Sequence, residues 1–173
     1  MDACIAINLL ATDRVEDISR VLGIRFLMVT QAAKECGEVY QAQQTHLVRR
    51  RSASPDDLPF AEVLTLDDSE LDVYVELARD IDDGEAATIA VARSRALHMA
   101  TDDRKARRIA TQLGLAAPTG TTTILRDYAD AAKLTPTELT MILRSVRDHA
   151  NYIPRHIDDN IKWWISAISI PPT

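Results

Sequence analysis

The stretch DGEAATIAVARSRALHMATDDRKARRIA, residues 83–110, decides the fold of this chain. Small apolar residues from about Gly84 onward are typical of a buried helix, and ALHMAT, residues 96–101, is an apolar run of strand length. The pair Asp102-Asp103 then stands where a helix cap is expected, before a helix that we predict over residues 104–113. A helix, a buried strand and another helix in this order are typical of an α/β fold with a parallel sheet.

The same alternation extends outward along the chain. IRFLMVT, residues 24–30, is a nearly continuous apolar run, as in a strand covered on both faces, and FAEVLTL, residues 60–66, is another candidate strand. Residues 4–11 are expected to begin as strand and continue as helix. We therefore predict an α/β fold, a three-layer sandwich with a short central parallel sheet in which residues 24–30 and 96–101 are both strands.

The pattern is purely helical from Thr121 onward. Two amphipathic helices, the second with a start signal at Thr135-Pro136, precede a last helix that carries Trp163 and Trp164. We therefore predict an α/β domain over residues 1–120 and a C-terminal helical extension over residues 121–173. The tryptophan pair is interpreted as core or interface packing, with a base-stacking platform as the alternative.

The composition excludes several classes of protein. Cys4 and Cys36 permit at most one bridge, which rules out a disulfide framework, and no apolar stretch reaches the roughly 18 residues that a membrane span needs. The chain opens without a basic region before its apolar run, so we expect no secretory signal and a cytoplasmic location. The absence of a glycine-rich nucleotide-binding motif disfavours nucleotide cofactors.

The net charge of −6 argues by itself against a general nucleic-acid binder. The charges are segregated, however, and the basic residues form two clusters. These are Arg49, Arg50 and Arg51, and Arg104, Lys105, Arg107 and Arg108. Each cluster is either a solvated face or a contact for phosphate, and both interpretations stay open.

Four separate segments each place a carboxylate where the carboxyl edge of a parallel sheet gathers ligands. These acids are Asp2, Glu35, Glu85 and Asp103, the last with Asp102 beside it. Clustered carboxylates repel one another unless a cation neutralises them, and oxygen ligands alone select Mg²⁺ or Mn²⁺ over Zn²⁺. Taken singly, the acids at helix starts are also ordinary caps.

Other reactive side chains point less clearly to chemistry. None of the histidines, His46, His98, His149 and His156, has metal-ligand spacing, and His98 is interpreted as a core or edge residue. Cys36 has no adjacent basic partner, so a buried and inert thiol is the preferred interpretation.

The 83–110 stretch resembles the signature region of PIN-domain nucleases, in which a helix that begins with an acid leads to a strand ending in T-D-D or T-x-D. The matching residues are Gly84-Glu85-Ala86 and Thr101-Asp102-Asp103-Arg104. Asp2-Ala3-Cys4, running into Asn8-Leu9-Leu10, is similar to the first motif of that family. Val29-Thr30 through Glu35-Cys36 is similar to the second motif, with Glu38 as a rival for the role of Glu35. The resemblance covers about residues 1–118.

The resemblance implies a Mg²⁺- or Mn²⁺-dependent endoribonuclease that cuts single-stranded RNA by attack of water. Many members of the family are VapC-like toxins, so a cognate antitoxin is an implied partner besides RNA. The implied catalytic and metal-binding residues are Asp2, Glu35, Glu85 and Asp103. Thr101 would orient Asp103 or a water, with Asp102 as an auxiliary acid. The implied RNA contacts are Arg104, Lys105, Arg107 and Arg108.

Three questions stay open at this point. The helices after Thr121 exceed a minimal PIN domain, and they either pack on the core, form a homodimer surface or cover the RNA groove. The chain is either an active nuclease or an inactive PIN-fold module for binding or assembly. A third hypothesis is an unrelated α/β domain whose acidic pocket binds one Mg²⁺, as in a phosphotransfer receiver. Convergence of the four carboxylates on one point would favour the nuclease.

Overall fold

The computed structural model describes residues 1–42 and 60–169, with side chains for residues 1–36 and 60–169. Arg49, Arg50, Arg51 and His46 lie outside the described residues. The helices of the described part are α1 (Ala3–Leu10), α2 (Val15–Leu22), α3 (Thr30–Ala42), α4 (Asp68–Leu77), α5 (Asp83–Ser94), α6 (Arg104–Gln112), α7 (Thr121–Ala132), α8 (Pro136–His149) and α9 (Ile161–Ile168). The strands are β1 (Phe26–Val29) and β2 (Ala61–Leu64).

The sheet is short and parallel, which confirms the predicted α/β class. Strand β1 pairs with β2 from Phe26↔Ala61 to Val29↔Leu64. These two strands lie within the apolar runs that the sequence marked as strands. Helices α3 and α5 both pack on β1, and α5 also packs against α3, α4 and α6.

Backbone hydrogen bonds extend the sheet beyond β1 without forming further strands. The Met1 nitrogen donates to the Leu27 carbonyl at 2.6 Å, and the Asp2 nitrogen donates to the Ala100 carbonyl at 3.1 Å. Ala100 in turn forms a parallel bridge with Thr119. Residues 1 and 2 therefore lie between β1 and residue 100, which puts Asp2 at the same sheet edge as the segment that follows Ala100.

Two predictions about strands are wrong: one segment forms a single bridge, and the other contains no strand. Residues 96–101 form only the bridge at Ala100, because Leu97 still bonds back to Ala92 and Ala96 takes a left-handed φ of +51°. No part of residues 4–11 is strand, because the helix already begins at Ala3. The Asp2 backbone and side-chain oxygens accept the first amides of that helix, and this ends the extended backbone at Asp2.

The chain divides into two compact units. The first comprises residues 1–7 and 25–119, and the second comprises residues 8–24 and 120–173. The first unit has a core cluster around α5, with Ile81, Ile89 and Met99 among its buried members. Residues 86–92 of α5 are all buried, and four of these seven residues are alanine, so neighbouring elements can approach this helix closely.

The second unit is helical, as predicted from Thr121 onward. Helix α2 packs on α7, and α8 packs on α9. The predicted start signal at Thr135-Pro136 is confirmed as a capping box between Thr135 and Glu138. Trp164 is buried and contacts Tyr152 edge-on at 5.6 Å between ring centroids, which supports the packing interpretation for this tryptophan.

The division into a nuclease domain over residues 1–120 and an extension over residues 121–173 stays a prediction. The second unit also includes residues 8–24, a segment that the predicted boundary assigns to the first domain. None of the helices in the described part of the chain is long and apolar enough to cross a membrane.

Candidate active site

Asp2 is a buried acid with an incomplete set of partners. The residue is 3% exposed, and its Oδ1 accepts the Ile5 amide at 2.9 Å. Its Oδ2 has no hydrogen-bond partner among the described residues. Burial raises the pKa of Asp2 to about 6, although the Ile5 amide partly opposes that shift. A buried carboxylate oxygen without a donor is a position where a cation would be favourable.

Glu85 lies in the first turn of α5 and is half-buried. Its pKa is raised to about 7, first by burial and then by the negative charges of Asp103, Asp2, Asp82 and Glu35. Acids from separate segments of the chain therefore lie within electrostatic reach of one another. Of the predicted acids, Asp2, Glu35 and Asp103 lie near enough to Glu85 to affect its pKa, and their assignment as catalytic and metal-binding residues stays a prediction.

Asp103 caps α6 and at the same time faces this group of acids. Its Oδ1 accepts the amides of Lys105 at 2.7 Å and Ala106 at 2.8 Å, as an N-cap residue does. Its own amide donates to the hydroxyl of Thr101, a fully buried residue, at 3.0 Å. Both capping bonds go to Oδ1, so the cap uses only one oxygen of the carboxylate.

Glu35 lies in α3, and its side chain is hydrogen-bonded to the start of α5. Its Oε1 accepts the Gly84 amide at 3.0 Å, across 49 residues of sequence. This hydrogen bond holds the Glu35 carboxylate at the residue that precedes Glu85. Its position agrees with the effect of the Glu35 charge, which raises the pKa of Glu85. Glu38, the rival for this role, lies in α3, but its side chain is outside the described part.

The described residues do not form a ready metal cage. Among them, no group of three or more His, Cys, Asp or Glu side chains is arranged to hold one ion. The charges of the other acids raise the pKa of Glu85, but no three of the described acids are arranged around a single point. The chemistry of the site nevertheless fits a divalent cation, because its donors are carboxylate oxygens and Asp2 presents a buried oxygen without a partner.

The basic residues of α6 divide into two pairs. The Arg107 guanidinium donates to the Thr101 carbonyl at 2.9 Å, and the Lys105 ammonium donates to the Asp80 carbonyl. These two side chains therefore hold the loops beside the site. Arg104 and Arg108 are exposed and have no partner among the described residues, which makes them the better candidates for contact with phosphate.

From the sequence, no role in the site was predicted for three residues that lie near the acids. Asp82 adds a negative charge next to Glu85, and Gly84 supplies the amide that holds Glu35. The Cys4 thiol, on the exposed side of α1, has its pKa raised to about 12, first by desolvation and then by the charges of the nearby acids. Its place in the Asp2-Ala3-Cys4 motif was the sequence clue to this location.

Two side chains with open interpretations behave as ordinary structural residues. Cys36 is buried, and burial raises the pKa of its thiol to about 11, as expected of an inert cysteine. His98 is exposed, so it is not a core residue, and its Nε2 is hydrogen-bonded to the Thr119 hydroxyl at 2.6 Å.

The family comparison agrees with the motifs. A family model described as a PIN domain matches residues 2–162, a range that includes all four predicted acids and most of the C-terminal helices. No curated protein and no solved structure matches the chain. PIN domains are generally nucleases, and they typically use divalent metals. With a match over most of its length, the chain belongs to the PIN-domain nuclease family.

Proposed function

We propose that this chain is a Mg²⁺- or Mn²⁺-dependent endoribonuclease that cleaves single-stranded RNA. The observation that carries the proposal is the environment of Glu85, whose pKa is raised to about 7 by burial and by acids from three other segments of the chain. A protein gains no stability from such crowding when the acids are charged. Perturbed acids gathered in this way are typical of a functional site.

The proposed ligands of the cation are Asp2, Glu35, Glu85 and Asp103. A bound divalent cation would supply a water of lowered pKa and would offset the charge of the phosphodiester. Thr101 keeps Asp103 in place by accepting its amide, and Arg107 fixes the Thr101 carbonyl. Asp102 contributes negative charge beside Asp2 and raises the pKa of that acid.

A direct assay tests the proposal. The full chain is incubated with a labelled single-stranded RNA, with a matched DNA strand, and with Mg²⁺, Mn²⁺ or a chelator. We expect RNA fragments with either metal and none with the chelator. Cleavage that persists in the chelator would contradict the metal dependence, and preferential cleavage of the DNA strand would contradict the substrate.

Arg104 is expected to contact the RNA backbone. It lies in the first turn of α6, directly after Asp103, and its side chain is exposed. Arg104→Ala should weaken RNA binding and reduce the slope of log affinity against log salt by about one unit, because one phosphate contact is lost. Titrations at several salt concentrations measure this slope. Arg104→Lys is the control that keeps the charge, and an unchanged slope in Arg104→Ala would assign the arginine to a solvated face.

A second candidate function is an inactive PIN-fold module for binding or assembly. The observation that favours it is the lack of any three metal-ligating side chains on one point in the described part of the chain. The two functions differ in outcome. An inactive module would bind RNA or a protein partner with the affinity unaffected by Mg²⁺ or Mn²⁺, and it would produce no fragments.

The biological setting remains a prediction from the family resemblance. It comprises a VapC-like toxin role, a cognate antitoxin, a homodimer and a cytoplasmic location. Sequencing the immediate neighbours of the gene tests for a small antitoxin, and co-expression of that protein should relieve any growth arrest that the chain causes alone. Growth arrest that a neighbouring gene product does not relieve would contradict the antitoxin prediction.

A further inference from the structure

The start of α5 has no room for a side chain at position 84. A Cβ atom built on Gly84 would lie 2.6 Å from Glu35 Oε2, 2.7 Å from Oε1 and 2.8 Å from Cδ. All three distances are shorter than real Cβ atoms tolerate. The Glu35 carboxylate therefore occupies the volume that any other amino acid at position 84 would fill.

Gly84 also donates a hydrogen bond to the Glu35 carboxylate. Gly84 is the second residue of α5, so its amide has no partner within the helix. Glu35 Oε1 accepts that amide at 3.0 Å, and the positive end of the helix favours a carboxylate at this position. Space and hydrogen bond together select one location for the Glu35 carboxylate, beside Glu85.

We infer that Gly84 is a positioning residue for Glu35: it admits the Glu35 carboxylate against the backbone of α5 and so sets its place among the acids of the site. This inference rests on the proposed function, in which Glu35 is one of the ligands of the cation. The acid-first helix motif is defined by its acid, Glu85, and gives the neighbouring glycine no role. The inference gives Gly84 a role of its own, the positioning of Glu35.

Gly84→Ala separates positioning from stability. The atoms in the way are the far end of a flexible glutamate, so the carboxylate should move while the helix stays in place. Alanine also favours a helix more than glycine does. If Gly84 had only a structural role, the substitution would leave metal binding unchanged and would raise the thermal midpoint whatever residue stands at position 35.

The experiment compares the wild type, Gly84→Ala, Glu35→Ala and the double variant. Mn²⁺ binding is measured by the loss of the free-ion signal in electron paramagnetic resonance, and unfolding is measured on the metal-free proteins. We expect Gly84→Ala to weaken Mn²⁺ binding at least tenfold in the wild type and to have no further effect once Glu35 is alanine. We also expect Gly84→Ala to raise the unfolding midpoint more in the Glu35→Ala background than in the wild type.

Gly114→Ala is the matched control. In the described part of the chain, no atom beyond the neighbouring residues lies within 4 Å of a Cβ built at Gly114, but its φ of +86° strains any other residue. This variant should lower the unfolding midpoint and leave Mn²⁺ binding unchanged, which shows that loss of stability alone does not mimic the effect of Gly84→Ala.

Two outcomes would overturn the inference: an unchanged Mn²⁺ affinity in Gly84→Ala while Glu35→Ala binds weakly, or equal effects of Gly84→Ala on the unfolding midpoint in both backgrounds. If no variant or wild type binds Mn²⁺, the proposed function fails, and the midpoints alone decide on Gly84. A difference between the two backgrounds then supports the positioning of Glu35, and equal shifts overturn it.

Discussion

Asp103→Asn and Glu85→Gln should each lower RNA cleavage by at least about 100-fold while the protein stays folded. Both changes remove one negative charge from the proposed ligands and keep the shape of the side chain. Asparagine caps helices as well as aspartate does, so the bonds from Lys105 and Ala106 to Oδ1 should remain. Initial rates with saturating Mg²⁺, measured beside circular dichroism spectra, test this expectation.

The stability of the metal-free variants should hold or rise although their activity falls. Glu85→Gln removes a charge that Asp103, Asp2, Asp82 and Glu35 oppose, so its unfolding midpoint should hold or rise. Asp72→Asn, an exposed position on α4, is the matched control and should keep both the wild-type rate and the wild-type midpoint. Wild-type cleavage by both site variants would contradict the assignment of these acids.

The metal-free protein should gain stability relative to Asp2→Asn as the pH falls. Burial raises the pKa of Asp2 from 3.8 to about 6, so between these values the folded state binds more protons than the unfolded state. Stability from this group is present at low pH and is lost as the pH rises through 6. The difference in free energy of unfolding should change by about 2 kcal/mol between pH 7.5 and pH 4.5.

Urea unfolding of both proteins at the two pH values measures this change. The Met1 amino group, whose pKa burial lowers, contributes with the opposite sign in both proteins, and the comparison largely cancels it. Parallel pH profiles for the wild type and Asp2→Asn would show that Asp2 titrates like an exposed aspartate, against the burial that the structure gives it.

Saturating Mg²⁺ should reduce the repulsion among the carboxylates of the site. The ion binds the charged carboxylates of the folded state, so at pH 7.5 it should stabilise the wild type by about 2–3 kcal/mol at a hundredfold excess over its dissociation constant. At pH 4.5 protons occupy Asp2 and Glu85, and the gain should largely vanish. An equal gain at both pH values would place the ion elsewhere on the protein.

The features that the sequence predicted correctly depend on neighbours along the chain. The capping roles of Asp103 and Thr135 follow from a polar side chain two or three residues before the amides that it accepts, and both are observed. Strand β1 (Phe26–Val29) was recognisable within the predicted run of residues 24–30 because such an apolar run needs cover on both faces. The helix that begins near Gly84-Glu85 was also predicted correctly, because a short motif of adjacent residues is enough to recognise it.

The sequence by itself thus determined the α/β class, the helix caps at Asp103 and Thr135 and the family motifs, because each depends on residues that are adjacent along the chain. The tertiary structure decided which carboxylates interact. Asp2 meets residue 100 through a backbone bond, and Glu35 meets Gly84 across 49 residues, and neither contact leaves a periodic trace in the sequence. It also limited residues 96–101 to a single bridge, because pairing depends on a partner strand as well as on apolar side chains.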